Sequence, residues 1–134
     1  MSSTWGNKIK ISVFGESHGA AIGVVIDGLK PGFTIDKDKV LRTMARRAPG
    51  KSFSTSRTEG DEPIILSGVK GNVTTGSPLC AMIKNTNTRS GDYGGFSTCP
   101  RPGHADFTAF AKYGKANFFE GGGHFSGRIT APIC

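Results

Sequence analysis

Ile9-Lys10-Ile11-Ser12-Val13-Phe14-Gly15-Glu16-Ser17-His18-Gly19-Ala20-Ala21-Ile22-Gly23-Val24-Val25-Ile26-Asp27-Gly28-Leu29 is the stretch on which the fold turns. An apolar run ends at Gly15, the pentapeptide Gly15-Glu16-Ser17-His18-Gly19 comes next, and a second apolar run begins at Ile22. If a helix started at the serine, this G-x-S-x-G would be the strained strand-to-helix turn that exposes a nucleophile in serine hydrolases. The second run is instead short, β-branched and interrupted by glycine, which is the pattern of a strand. The stretch therefore predicts a strand over 8–14, a polar loop, and a strand over 22–29. A serine this close to the start also leaves no upstream strand-loop to supply a second oxyanion donor. The other reading of the pentapeptide rests on His18, an ionisable imidazole next to a hydroxyl and a carboxylate, between two glycines that let a ligand approach the backbone closely.

Working outward, Lys30-Pro31-Gly32 is a turn, and Asp36 can cap a helix running through Val40, Leu41 and Met44 and stopping before Pro49-Gly50. Arg46 and Arg47 fall in its last turn, where cations complement the helix dipole. Residues 51–61 and 85–104 lack periodicity and read as loops. Strands are predicted over 63–69 and 78–84, and a short helix over 105–113 with Asp106 near its start. A glycine run, Gly121-Gly122-Gly123, precedes His124-Phe125-Ser126-Gly127-Arg128 and a final apolar segment. Long loops on few packing elements suggest one front portion (1–134) of a single larger domain. The predicted class is α+β, with antiparallel sheets packed against helices.

Composition narrows the function. The 134 residues carry a net charge of +7 and 20 glycines, most of them single or paired between apolar runs. That balance asks for an anionic partner. The arginines are spaced out, and several sit in Gly-, Pro- and Ser-rich loops rather than along one helix face, which suits a compact anion better than a nucleic-acid backbone. Cys80, Cys99 and Cys134 lie far apart, an odd number without C-x-x-C spacing, so neither a disulfide framework nor a metal site is expected. No apolar run approaches the roughly 18 residues of a membrane-spanning helix, and residues 1–10 lack the apolar core of a signal peptide. A cytoplasmic setting without membrane contact is the expectation.

Chemistry concentrates in two histidine loops. His18 lies beside Ser17, and Arg101-Pro102-Gly103-His104-Ala105-Asp106 places an arginine and a second imidazole on a Pro-Gly turn, with Asp106 able to orient or charge the ring. A histidine of this kind can hand a proton to a leaving oxygen near neutral pH, which suits departure of phosphate. The backbone of 121–128 can present N–H groups to a phosphate or a flavin ring.

Taken together, Gly-Glu-Ser-His-Gly at 15–19, Arg-Pro-Gly-His-Ala-Asp at 101–106 and Gly-Gly-Gly-His-Phe-Ser-Gly-Arg at 121–128 resemble the chorismate synthase family. Ala-Arg-Arg-Ala-Pro-Gly at 45–50, Ile-Leu-Ser-Gly at 65–68, Thr-Thr-Gly-Ser-Pro at 74–78 and Asn-Thr-Arg-Ser-Gly-Asp-Tyr at 87–93 match in the same order. The resemblance implies a lyase that eliminates phosphate from 5-enolpyruvylshikimate 3-phosphate by a 1,4-anti route to give chorismate, with reduced FMN as an obligatory cofactor, in a homotetramer. Carried onto this chain, it implies His18 and His104 as catalytic groups. Ser17, Arg47, Arg57, Arg101 and Arg128 become substrate ligands, and His104, His124, Phe125, Ser126 and Gly127 contact the flavin. The chain departs from many members at Ala48 (a third consecutive arginine elsewhere), at His124-Phe125 (Arg-Ser) and at Gly127 (alanine). Family members are much longer, so the resemblance also implies little or no turnover by these 134 residues alone. Two other classes stand beside this reading: a non-catalytic module binding anions or nucleic acid, and a serine hydrolase using Ser17 with an Asp106–His124 pair.

Overall fold

The computed structural model describes residues 3–47, 61–86, 99–114, 123–125 and 127–134. Its centre is a five-stranded antiparallel sheet built from β1 (Thr4–Gly6), β2 (Lys10–Gly15), β3 (Ala21–Asp27), β4 (Ile64–Ser67) and β7 (Leu79–Lys84), in the spatial order β1-β2-β3-β7-β4. The strand predicted over 22–29 is thus the central one, although it ends at Asp27 and leaves Gly28 and Leu29 outside the sheet. β3 pairs with β2 (Val13 opposite Val24, Gly15 opposite Ile22) and with β7 (Ile22 opposite Ile83, Val24 opposite Ala81).

Alternation along these strands divides the sheet into two faces. Val13, Ile22, Val24 and Ile83 share one face and pack against Val40 and Met44 of α1 (Lys37–Arg47), with Ile129 and Ala131 from the 3-10 helix Gly127–Ile133 closing the cluster. Ile22 is wholly buried, and burial of that side chain is worth about 2–3 kcal/mol. Helix α1 starts where its sequence says: Asp36 Oδ1 accepts the Lys39 N–H at 2.9 Å, one of the donors a helix start would otherwise leave unpaired. On the opposite face Phe14 lies across Gly23; a Cβ at that glycine would sit 2.3 Å from the phenyl Cζ. The glycine that interrupts the apolar run of β3 is therefore the seat of a ring.

A two-stranded ribbon, β5 (Val69–Lys70) with β6 (Val73–Thr74), projects beside the sheet. Buried Thr74 ties it down: its hydroxyl donates to the Lys30 carbonyl (2.7 Å) and accepts the Phe33 N–H (2.9 Å). Helix α2 (Asp106–Tyr113) comes directly after the second histidine loop. The architecture is α+β, as the sequence predicts. Cys80, Cys99 and Cys134 are all free thiols, and no helix among the described residues is long and apolar enough to cross a membrane.

Candidate functional site

The loop 16–20 joins β2 to β3, so a strand and not a helix succeeds Ser17. Ser17 Oγ lies 3.0 Å from Nδ1 of its neighbour His18, whose Nε2 is buried. Two outside elements grip the loop. Ser17 donates its backbone N–H to the Gly123 carbonyl (3.2 Å), and His124 Nδ1 donates to the Gly15 carbonyl (2.8 Å). Because Gly15 offers only an acceptor, Nδ1 of His124 carries the hydrogen, and Nε2 is then the acceptor for the Ser3 hydroxyl at 2.8 Å. Both ring nitrogens of His124 are thus bound to protein, and the ring works as a cross-brace between residue 3, the end of β2 and the turn 123–125. The sequence gives His124 to the flavin through its backbone; the use of the ring itself shows only in the fold.

The second histidine loop is organised around one buried carboxylate. Asp106, 4% exposed, accepts the Arg101 backbone N–H on Oδ2 (2.9 Å), Arg101 Nε on Oδ2 (2.7 Å), Arg101 Nη2 on Oδ1 (2.7 Å) and His104 Nδ1 on Oδ1 (2.8 Å). Hydrogen bonds from Arg101, opposed by burial and helped by the charge of the guanidinium, hold the Asp106 carboxyl far below the usual carboxylate range. His104 Nδ1 and Arg101 Nη2 are also 3.3 Å apart. Both are donors aimed at the same oxygen, and that shared acceptor explains their approach. His104 is therefore fixed with hydrogen on Nδ1, its ring about one-third exposed and Nε2 as the atom that can meet a ligand.

This arrangement bears on the expected roles unevenly. Arg101 commits Nε and Nη2 to Asp106, so that edge of the guanidinium cannot grip a substrate carboxylate or phosphate in the two-pronged fashion of arginine clamps. Arg47 ends α1 and Arg128 and Phe125 lie in the 3-10 segments, but their side chains, like Arg57 and Ser126 altogether, lie outside the described residues. Gly127 opens the last 3-10 helix and is exposed. The Asp106–His124 pairing that a hydrolase needs is not formed: Asp106 serves Arg101 and His104, and His124 serves Gly15 and Ser3. Beside the 16–20 loop opens a cavity of about 820 Å³, lined among others by Phe14, Gly15, Glu16, Gly19, Tyr113 and His124. That volume is in the range of cofactor and small-molecule sites.

The sequence model of the chorismate synthase family matches residues 9–134. The chain belongs to the chorismate synthase family. Similar proteins include the chorismate synthases of Lancefieldella parvula (46% identical, covering 100% of this chain and 36% of that protein) and Chitinophaga pinensis (47%, covering 98% and 40%). The Thermococcus kodakarensis enzyme is 44% identical, with 96% of this chain and 36% of that protein covered. The chain thus spans a little over one-third of the length of these chorismate synthases. A crystal structure of chorismate synthase shares the fold, with a TM-score of 0.61 at 24% identity over 94% of this chain and 31% of that one. Both histidine loops and the 123–134 segment fall inside the stretch matched to the chorismate synthase family.

Proposed function

We propose that this chain carries the acid and anion-binding groups for chorismate formation: elimination of phosphate from 5-enolpyruvylshikimate 3-phosphate, assisted by reduced FMN. The observation that supports it most is His104, its Nδ1–H locked to the buried Asp106 carboxylate on a ring about one-third exposed. A histidine oriented in this way by a carboxylate is the usual apparatus for holding or moving one proton at one atom. In the reaction the C–O bond to phosphate and one ring C–H bond break, and a C=C bond forms, so the sum is redox-neutral. His18 gives a proton to the departing phosphate oxygen, with the Ser17 hydroxyl beside it as a hydrogen-bond partner.

The residues present fit reduced FMN. The cavity of about 820 Å³ has the capacity for a cofactor, and Phe14, Tyr113 and the backbone of Gly15 and Gly19 give it walls suited to a flat ring. The family resemblance assigns His104 to the flavin edge. When bound, reduced FMN supplies the transient electron that eases loss of phosphate; the protein's part is orientation and stabilisation of charge. The excess of basic residues, +7 overall, matches a polyanionic substrate and a phosphorylated cofactor.

Equilibrium titrations separate the two histidines. H18A should weaken binding of 5-enolpyruvylshikimate 3-phosphate by about 10- to 100-fold, the worth of one charge-assisted hydrogen bond, and leave FMN binding within about twofold. H104A should do the reverse. Equal losses of both ligands in both variants would contradict the division of roles.

A further inference from the structure

The turn that carries Ser17 and His18 is held from below by a residue outside both histidine motifs. Asn85 directly succeeds β7, whose last residue, Lys84, pairs with Ala21 at the start of β3. Its side-chain Nδ2 donates to the Glu16 carbonyl (2.9 Å) and to the Gly19 carbonyl (2.8 Å), and its backbone N–H donates to the Ala20 carbonyl (3.1 Å). The Gly19 N–H closes the same turn onto Glu16 O at 3.1 Å. One carboxamide therefore bridges the two ends of the segment that contains the proposed acid.

We propose that Asn85 is a positioning residue for His18: it transfers the register of the central sheet to the 16–19 turn and so fixes where the imidazole stands. Both partners of Nδ2 are carbonyls, so the position demands two hydrogen-bond donors on one atom. Asparagine supplies them at this length; an aspartate of the same shape turns acceptors toward acceptors, and alanine leaves both carbonyls without this donor. Gly123 and His124 hold the opposite side of the loop, so loss of Asn85 frees the turn without dismantling it. The inference rests on the reading of His18 as the acid, but its structural half is measured separately.

The test uses N85D and N85A in the 134-residue chain, with amide hydrogen exchange and imidazole 15N signals read by NMR. Exchange at the Gly19 amide should quicken by at least about tenfold, and the His18 ring signals should shift or broaden, more in N85D than in N85A. The amides of Val13, Ile22 and Val24 should keep their protection, which shows that the sheet is intact. N85S, which retains one donor on a shorter arm, should fall between wild type and N85A and covers the case in which N85D fails to fold. Wild-type exchange at Gly19 and unchanged His18 signals in the folded variants would overturn the proposal. A loosened turn with undiminished binding of 5-enolpyruvylshikimate 3-phosphate supports the positioning role and overturns the reading of His18 as its phosphate ligand.

Discussion

Replacing Asp106 with asparagine should cost about 3 kcal/mol of stability and lower the melting temperature by roughly 10 °C. The carboxylate is 4% exposed and answers four donors. The amide of D106N keeps one acceptor oxygen and presents a donor to groups that are themselves donors. Arg101 then keeps its charge at a site only 22% exposed, without its counter-ion, and an unpaired buried charge costs more than the pair contributes. The sign of the pH dependence is set by the carboxyl group. Asp106 is held ionised well below the usual carboxylate range, whereas in the unfolded chain it takes up a proton near pH ~4. Its contribution is therefore complete above about pH 5 and is lost as pH falls below about 4 toward the depressed folded value. Urea unfolding of wild type and D106N from pH 7 to 3 should show a constant gap down to about pH 5 that narrows below pH 4. A gap that stays constant to pH 3 would mean that the ion pair is not its source. The same variant loses the group that fixes His104, so its FMN affinity should fall along with that of H104A.

Gly15→Ala should be at least as damaging, for a steric reason. Gly15 ends β2 at φ +98°, a region that L-residues rarely adopt, and a Cβ there would stand 2.4 Å from the Ala21 carbonyl oxygen and 2.7 Å from the Ile22 Cα. Both obstacles are backbone, so neither can swing aside. β2 and β3 must part at the mouth of the His18 loop, where Gly15 O also receives the His124 hydrogen bond. Overpacking and left-handed strain together cost about 3–4 kcal/mol. Gly71→Ala is the control. It also has a positive φ, +64°, but nothing lies within 4 Å of its would-be Cβ, so only the conformational cost of about 1 kcal/mol applies. Equal losses in the two variants, measured by urea unfolding, would refute the steric explanation.

Much of the frame is legible in the sequence because it is local. Short apolar runs bounded by glycine and proline mark β2, β3, β4 and β7 to within a few residues, and Asp36 marks the start of α1. β1 escapes such a reading because its three residues, Thr4–Gly6, are all exposed and carry no alternation; the strand exists through pairing with β2 and a Thr4–Ser12 side-chain bond. The ribbon β5–β6 is too short for any period to show, and it is fixed by Thr74 reaching back 44 residues to Lys30.

At the site, the residues of the Arg101–Asp106 turn lie five apart, so an orienting role for Asp106 can be read from the sequence. How completely Asp106 engages the inner edge of Arg101 cannot. Asn85 and the His124 ring give no local signal at all. Asn85 reaches 69 residues back to Glu16, and the His124 ring reaches 109 to Gly15 and 121 to Ser3, in each case to groups every residue or every serine possesses. Only the folded chain shows which polar residue meets which carbonyl.

The chain has three histidines, and they provide the most direct test. Long-range 15N–1H NMR spectra of the imidazoles should be recorded while 5-enolpyruvylshikimate 3-phosphate and FMN are added. His18 should respond to the phosphate-bearing substrate and His104 to the flavin, while His124, bound through both nitrogens to Gly15 and Ser3, should keep its hydrogen on Nδ1 throughout. Saturation with both ligands that leaves His18 and His104 unmoved, or that moves His124 alone, would contradict the assignment of the two histidine loops as the working site.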